Sequence, residues 1–179
     1  MQKIKQPAIF AGCFHIHSTS TLFNRMDLDI LILRDQRESI KKCSLTPLRG
    51  KPGVTFVNYH SQRRIDAGGR ILLDPEGEPF QPEDAGRGLF LIDCSWRRLK
   101  SLDLTVDGEP IRRRLPELRT AYPRKSTIFD DPATGLASIE ALYAAACELY
   151  GPHPDLLEGY HWAKEFLELN PQLAQAGAN

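Results

Sequence analysis

Apolar residues follow two regimes along this chain. From Leu28 to Asp93 they come as short runs bounded by glycine, proline and charge; beyond Ser126 they recur every three or four positions. The run LDILILR (Leu28–Arg34) predicts a buried strand. GVTFVNYH (Gly53–His60), alternating β-branched and aromatic residues, predicts a second. RILLDP (Arg70–Pro75) predicts a third, stopped by its proline. GLFLID (Gly88–Asp93) is the most apolar of the runs and fits a strand buried on both faces, as in a parallel sheet. The polar, basic DQRESIKKCSLTPLRG reads as a loop with a helical turn, and the acidic stretch Glu76–Gly88 as a surface loop.

The later pattern is helical. Leu136, Ile139, Ala141, Leu142, Ala145, Ala146 and Leu149 form one broad apolar face. Tyr160, Ala163, Phe166, Leu167 and Asn170 repeat the spacing in a last helix over Leu156–Asn170. The chain therefore reads as α/β, with an N-terminal parallel-sheet half and an all-helical C-terminal half. Residues 1–26 form an extension, 27–97 the α/β half with the ligand loops, 98–170 the helical half, and 171–179 a frayed tail.

Composition narrows the class. Of 179 residues, 41% are hydrophobic and 26% charged, as in a folded domain rather than a disordered chain. No run approaches the roughly 18 apolar residues of a membrane span, and Gly12, His15 and His17 break the N-terminal apolar patch before it can serve as a signal peptide. A cytoplasmic protein without a membrane partner is expected. The four cysteines (Cys13, Cys43, Cys94, Cys147) show no paired spacing, which predicts reduced thiols and no metal site. With 23 basic and 23 acidic residues the net charge is zero, so the whole-chain balance carries no signature of nucleic-acid binding. The basic residues do bunch, in Arg34–Lys51, Arg63–Arg70, Arg97–Lys100 and Arg112–Lys125.

The candidate chemistry centres on Asp93-Cys94-Ser95-Trp96. An apolar strand ending in these residues delivers polar groups to the carboxyl edge of a sheet, where ligands bind in open α/β folds. The alternative is a strand end whose Asp and Ser cap a turn while Trp fills core. Asp74-Pro75 closes another strand, and KKCSLTPLRG offers hydroxyls and cations for an anion or for solvent alone. Neither G-x-G-x-x-G nor a P-loop is present, so an adenosyl ligand would need another kind of site. A thiolate nucleophile at Cys94 would need a base, and the spacing of His60 and His161 selects neither.

Several blocks together resemble the rRNA aminocarboxypropyltransferases, also known as ribosome-biogenesis proteins. They are KKCS (Lys41–Ser44), ILLDP (Ile71–Pro75), IDCSW (Ile92–Trp96), RLPEL (Arg114–Leu118) with Pro123, LASIEALYAA (Leu136–Ala145) and HWAKEFLELN (His161–Asn170). Their order and approximate spacing match over nearly everything from Leu28 to Asn170, as in a divergent member. Glu38-Ser39-Ile40 stand where the family usually has Cys-Asp-Pro, and Leu136-Ala137 stand where it has Leu-Ser.

The resemblance implies a SPOUT-like architecture with a deep trefoil knot, and S-adenosylmethionine as co-substrate without a metal. The implied reaction moves the 3-amino-3-carboxypropyl group to N3 of a pseudouridine or uridine in small-subunit rRNA, on the rRNA or a pre-ribosomal particle, by a monomer. Trp96 is implied as the wall on the methyl side and, with Leu73 and Pro75, as a sandwich around adenine; Leu115 is a further implied cofactor contact. Ile92 is implied at the ribose, and Ser44, Ala137 and Ser138 at the methionyl carboxylate. Asp93 is the implied catalytic residue; Lys41, Lys42 and Arg97 are implied RNA contacts. The competing readings are a SPOUT RNA methyltransferase and a non-catalytic RNA-binding assembly factor.

Overall fold

The computed structural model describes residues 28–40, 43–123 and 135–174. Five strands form one sheet in the order β2-β1-β5-β4-β7, where β1 is Ile30–Arg34, β2 Val54–Asn58, β4 Ile71–Pro79, β5 Leu89–Asp93 and β7 Ile111–Arg114. Every recorded strand pair is parallel, and a second, two-stranded sheet pairs β3 (Ile65–Asp66) with β6 (Val106–Asp107). The helices are α1 (Trp96–Asp103), α2 (Ser138–Tyr150) and α3 (Ala163–Leu169).

A parallel sheet is stable only when both faces are covered, and the side-chain alternation of its strands provides for that. Ile30, Ile32, Ile71, Leu89 and Leu91 face the larger core, under α2, α3 and the turns around them. Leu33, Leu72 and Phe90 face a smaller core with Leu102 of α1 and Ile65 and Ala67 around β3. β5 lies in the middle of the sheet, so the most apolar run occupies the most enclosed strand. α2 is buried nearly all round, from Ile139 through Cys147 apart from Ala141, which explains its alanine content: small side chains let it lie close to the sheet.

The structure departs from the sequence reading in four places. The segment expected to be helical, 98–170, starts within α1 but then contains strands β6 and β7, and β7 forms an edge of the main sheet, so the C-terminal half is not all helical. The sequence IRRR hides β7 because its outward residues are arginines. β4 does not stop at Pro75 but runs on to Pro79, absorbing the proline in a register shift between Leu73 and Glu78 opposite Arg113. Gly77 is required in that shift, since a Cβ there would lie 2.8 Å from the Arg112 and Arg113 backbone. The rest of the expected surface loop includes a 3₁₀ turn, Pro82–Asp84, that buries Asp84.

The last helix is also shorter than its periodicity. Pro154–Leu157 is a 3₁₀ turn, and Gly159, at φ +78°, breaks the path before α3. Pro171–Ala174 is a further 3₁₀ turn that buries Leu173, so this part of the tail is anchored rather than frayed. Among the described residues, no helix is long and apolar enough to cross a membrane.

Phe90 is fully buried at the centre of β5. Phe90→Ala is expected to lower unfolding stability by about 3–5 kcal/mol, read from urea denaturation; a loss below about 1 kcal/mol would contradict this placement of the core.

Candidate active site

The sheet splits where β5 ends. β4 pairs with β5 only at Ile71↔Leu89 and Leu72↔Phe90, and then continues alongside β7. From Leu91 onward the β4-facing edge of β5 has no ladder partner, although β1 still pairs with its other edge. An open cleft of about 1350 Å³ occupies this position at the carboxyl end of the strands. In open α/β sheets such a place collects ligands, and here part of the reason is visible: backbone groups that would otherwise bond a neighbouring strand face the cleft.

Ser44, Leu73, Pro75, Ile92, Asp93, Trp96, Leu115, Ala137 and Ser138 all line this one cleft. They come from five separate segments of the chain. Leu73 and Pro75 enter from the diverging part of β4, Leu115 from the end of β7, and Ile92 and Asp93 from the end of β5. Trp96 is the first residue of α1 and is 45% exposed, so its ring is a surface for something outside the core rather than core filler. Ser95, just before it, donates its N–H to Glu38 Oε1 at 3.2 Å, which fixes the start of the helix to the β1–β2 connection.

Asp93 is buried on the cleft floor and is well held. Its Oδ1 accepts from Ser138 Oγ at 2.8 Å, and its Oδ2 accepts from Cys43 Sγ at 3.5 Å. The Arg34 Nε lies 3.8 Å from the same Oδ2. Ser138 begins α2, whose N-terminus therefore opens on this floor. Ala137 cannot cap that helix with a side chain, but Ser44 takes up the role from another segment, its Oγ accepting from the Ile139 N–H at 3.3 Å. The Ala137 N–H is committed to Glu140 Oε2 at 2.9 Å. The Ser138 N–H, at the first position of the helix, has no acceptor within it.

Sequence reading missed Glu140, which looked like one acid on a helix surface. It is fully buried, and its carboxylate accepts four hydrogen bonds: from Thr120 Oγ1 (2.6 Å), the Ala121 N–H (3.0 Å), the Ala137 N–H (2.9 Å) and the Tyr160 hydroxyl (3.0 Å). Those donors come from the segment after β7, the entry to α2 and the turn before α3. Burial, and then the Glu140 charge, push the Tyr160 hydroxyl pKa upward, so it remains a donor. The signal available in sequence was an acid at the third position of a helix start, the half of a capping box that bonds backwards.

Neither Cys43 nor Cys94, the cysteines at the cleft, is set up as a nucleophile. Burial first, and then the charges of Asp35, Asp93 and Glu38, push the Cys94 thiol up to about 12. Burial and Asp93 likewise raise Cys43. A thiol held protonated is inert at neutral pH, so the alternative built on Cys94 with His60 or His161 is not supported. Among the described residues no cluster of three or more His, Cys, Asp or Glu could hold a metal ion.

The basic bunches are largely spent on internal pairing. Arg64 pairs with Asp107, Arg70 with Asp29, Arg98 with Asp35, Arg112 with Asp74 and Asp103, and Arg113 with Asp84. Arg97 is exposed and lines a smaller hollow beside the cleft, with Asp35, Arg37, Glu38, Ser95 and Arg98. Lys41 and Lys42 lie outside the described residues.

Comparison with known proteins adds the following. Residues 71–178 match the family model for the ribosome biogenesis protein, C-terminal region. The chain is 39% identical over 136 residues to a 16S rRNA aminocarboxypropyltransferase of Vulcanisaeta distributa, covering 68% of this chain and 71% of that protein. It is 29% identical over 157 residues to one of Methanosphaera stadtmanae, covering 83% and 87%. Its structure superposes on the SAM-dependent rRNA:acp-transferase Tsr3 from Vulcanisaeta distributa with a TM-score of 0.65 at 30% identity, covering 86% of this chain and 84% of that one.

Two expectations follow from the site's polar groups. Glu140→Ala leaves two hydroxyls and two N–H groups without their shared acceptor and should lower stability by about 3 kcal/mol or more; a change below about 1 kcal/mol in urea denaturation would refute the network. The second concerns acid. Burial alone would raise the pKa of Asp84, but Arg113 and the Gln81 N–H outweigh it and hold the carboxyl below its ordinary value. A depressed folded-state pKa gives stability that is present above the unfolded value of about 3.9 and lost as pH falls through the folded one. Asp84→Asn should therefore flatten the stability–pH curve below about pH 4; superimposable slopes in the two proteins would count against the pairing.

Proposed function

The chain belongs to the ribosome biogenesis protein family, and we propose that it transfers the 3-amino-3-carboxypropyl group of S-adenosylmethionine to N3 of a uridine or hypermodified pseudouridine in small-subunit rRNA. The observation that carries the proposal is the assembly of Ser44, Leu73, Pro75, Ile92, Asp93, Trp96, Leu115, Ala137 and Ser138, from five segments, around a single cleft at the split of the sheet. The curated relatives and the structural neighbour, named for the same transfer, support it.

The lining suits the co-substrate chemically. Leu73, Pro75, Leu115 and Trp96 offer an apolar slot for adenine, and the unpaired edge of β5 at Ile92 offers backbone groups to the ribose hydroxyls. Asp93, whose carboxylate oxygens accept hydrogen bonds, suits the amino group. Ser44 and the start of α2 at Ser138 suit the carboxylate, since a helix N-terminus favours an anion.

Which sulfonium substituent reacts is decided by position. A sulfonium activates all three attached carbons, and the one that reacts is the one held against the nucleophile. Trp96 provides an aromatic wall for the methyl side and a π-face for the cation, which leaves the aminocarboxypropyl carbon open to the base. In the transfer the N3 proton passes to water, the N3–C bond forms, and the C–S bond breaks with its electron pair returning to sulfur, so 5′-methylthioadenosine leaves. Asp93 is the carboxylate we assign to the polar end of this exchange.

The same reading assigns a SPOUT-like, trefoil-knotted path to the backbone, monomeric action in the cytoplasm on the rRNA or a pre-ribosomal particle, and a phosphate contact to Arg97. The non-consecutive strand order supports the path, and the exposure of Arg97 beside the cleft supports the contact.

Incubation with S-adenosylmethionine and small-subunit rRNA should yield 5′-methylthioadenosine and a nucleoside heavier by the aminocarboxypropyl group, both read by mass spectrometry. S-adenosylhomocysteine in its place would mean methyl transfer, and calorimetry showing no binding at millimolar ligand would sink both enzymatic readings. Trp96→Ala should weaken cofactor binding about tenfold or more; unchanged affinity in the folded variant would overturn the wall.

A further inference from the structure

Arg34 stands apart from the other arginines of this chain. It ends β1, is 3% exposed, and is buried against the carboxyl edge of the sheet directly below the cleft floor. Its Nη2 donates to the carbonyl of Glu38, while its Nε has no hydrogen-bond acceptor among the described residues and lies 3.8 Å from Asp93 Oδ2. A guanidinium in this position needs a reason, because a buried cation without good pairing is costly. Arg34 does not itself line the cleft, so it does not act by touching a ligand there.

What it touches explains its place. On one side is the carboxylate of Asp93; on the other is the backbone of Glu38, whose own carboxylate holds the Ser95 N–H. Asp93 and Ser95 are two residues apart, at the end of β5 and the start of α1. Glu38 also belongs to the Glu38-Ser39-Ile40 stretch that departs from the family's usual residues. Among the described residues, the groups facing Asp93 are Arg34 from β1, the Cys43 thiol from the following connection and the Ser138 hydroxyl from α2. Arg34 is the cation among them.

We propose that Arg34 is a positioning residue that holds the Asp93 carboxylate at the cleft floor for the amino group of S-adenosylmethionine, by clamping the end of β5 to the Glu38 turn. The inference rests on the cofactor reading above and deepens it. The Nε distance of 3.8 Å is longer than a hydrogen bond, which suits a charge that orients its partner while leaving the carboxylate oxygens open to accept from elsewhere.

A pair of ligands tests it. S-adenosylmethionine carries the amino-acid arm, whereas 5′-methylthioadenosine has the same adenosine and thioether without that arm. Arg34→Met should weaken S-adenosylmethionine about tenfold and leave 5′-methylthioadenosine within about twofold, by calorimetry. Arg34→Lys, keeping the charge, should recover part of the loss. If Arg34 acts through Asp93, Arg34→Met should add almost nothing to Asp93→Asn, because residues working as a unit are not additive.

Parallel weakening of both ligands would mean general damage to the cleft and would overturn the proposal, as would full additivity with Asp93→Asn or unchanged affinity for both. Should Arg34→Met fail to fold, Arg34→Lys decides alone: selective loss of S-adenosylmethionine supports the clamp, and equal loss of both ligands refutes it. Binding of neither ligand by the unaltered protein would instead bring down the cofactor reading on which the clamp rests.

Discussion

A carboxylate with four donors and, among the described residues, no cation holds the binding side of this molecule together. Glu140 is fully enclosed, and removing a charge from water costs several kcal/mol unless hydrogen bonds replace the lost hydration. Two hydroxyls and two N–H groups replace it, and its place in the first turn of α2 adds the favourable end of a helix dipole. The donors belong to three segments far apart in sequence. Satisfying one buried charge therefore fixes the entry to α2, the segment following β7 and the turn at Tyr160 relative to one another. The residues beside those donors, among them Leu118, Arg119, Tyr122 and Leu136, form the wall of the cleft opposite β5.

The opposite side of the cleft exists because a strand leaves the sheet. Had β4 stayed paired with β5 along its length, the backbone beyond Phe90 would be consumed in ladder bonds. The register shift at Leu73/Glu78 keeps β4 with β7 while drawing it away from β5. Gly77 permits the close approach that this path needs, and the Arg113–Asp84 pair holds β7 against the following turn. The neutral net charge fits this construction: Arg64, Arg70, Arg98, Arg112 and Arg113, which could have contributed to a basic face, are instead paired with acids across the joints of the fold.

Much of this was legible in the sequence, and the failures have physical causes. β1, β2, β5 and α2 were readable because burial on one or both faces writes a period directly into the residues. β7 was not, since its three arginines look solvent-facing until Asp84 and Asp74 are seen to meet them. Pro75 signalled a strand end, and only the pairing with β7 shows that a bulge can carry it. The cleft residues were found through ordered blocks rather than through periodicity. No local pattern indicates that Leu73, Ser44 and Leu115 converge, because that depends on strand order. Glu140 and Arg34 escaped notice for the same reason: a charged residue reads as surface until its partners, tens of residues away, are in place.

Among the nine cleft residues assigned to the co-substrate, polarity divides along the architecture, although Asp74, Arg113, Arg114 and Glu117 also line the cleft. The walls from β4, the end of β7 and the start of α1 present Leu73, Pro75, Leu115 and Trp96, while the floor, where β1, β5 and α2 meet, presents Asp93, Ser44 and Ser138. Strand ends and a helix N-terminus necessarily gather unpaired polar groups, and diverging strands necessarily leave side chains with no sheet neighbour to cover them. A ligand with a flat apolar end and a zwitterionic end can satisfy both at once. A sulfonium joining those ends would lie at the boundary, beside the aromatic ring that is 45% exposed there. On the reading proposed above, the choice of reacting carbon would need no special catalytic group to select it, because the same division that would bind the two ends would also set which substituent faces outward.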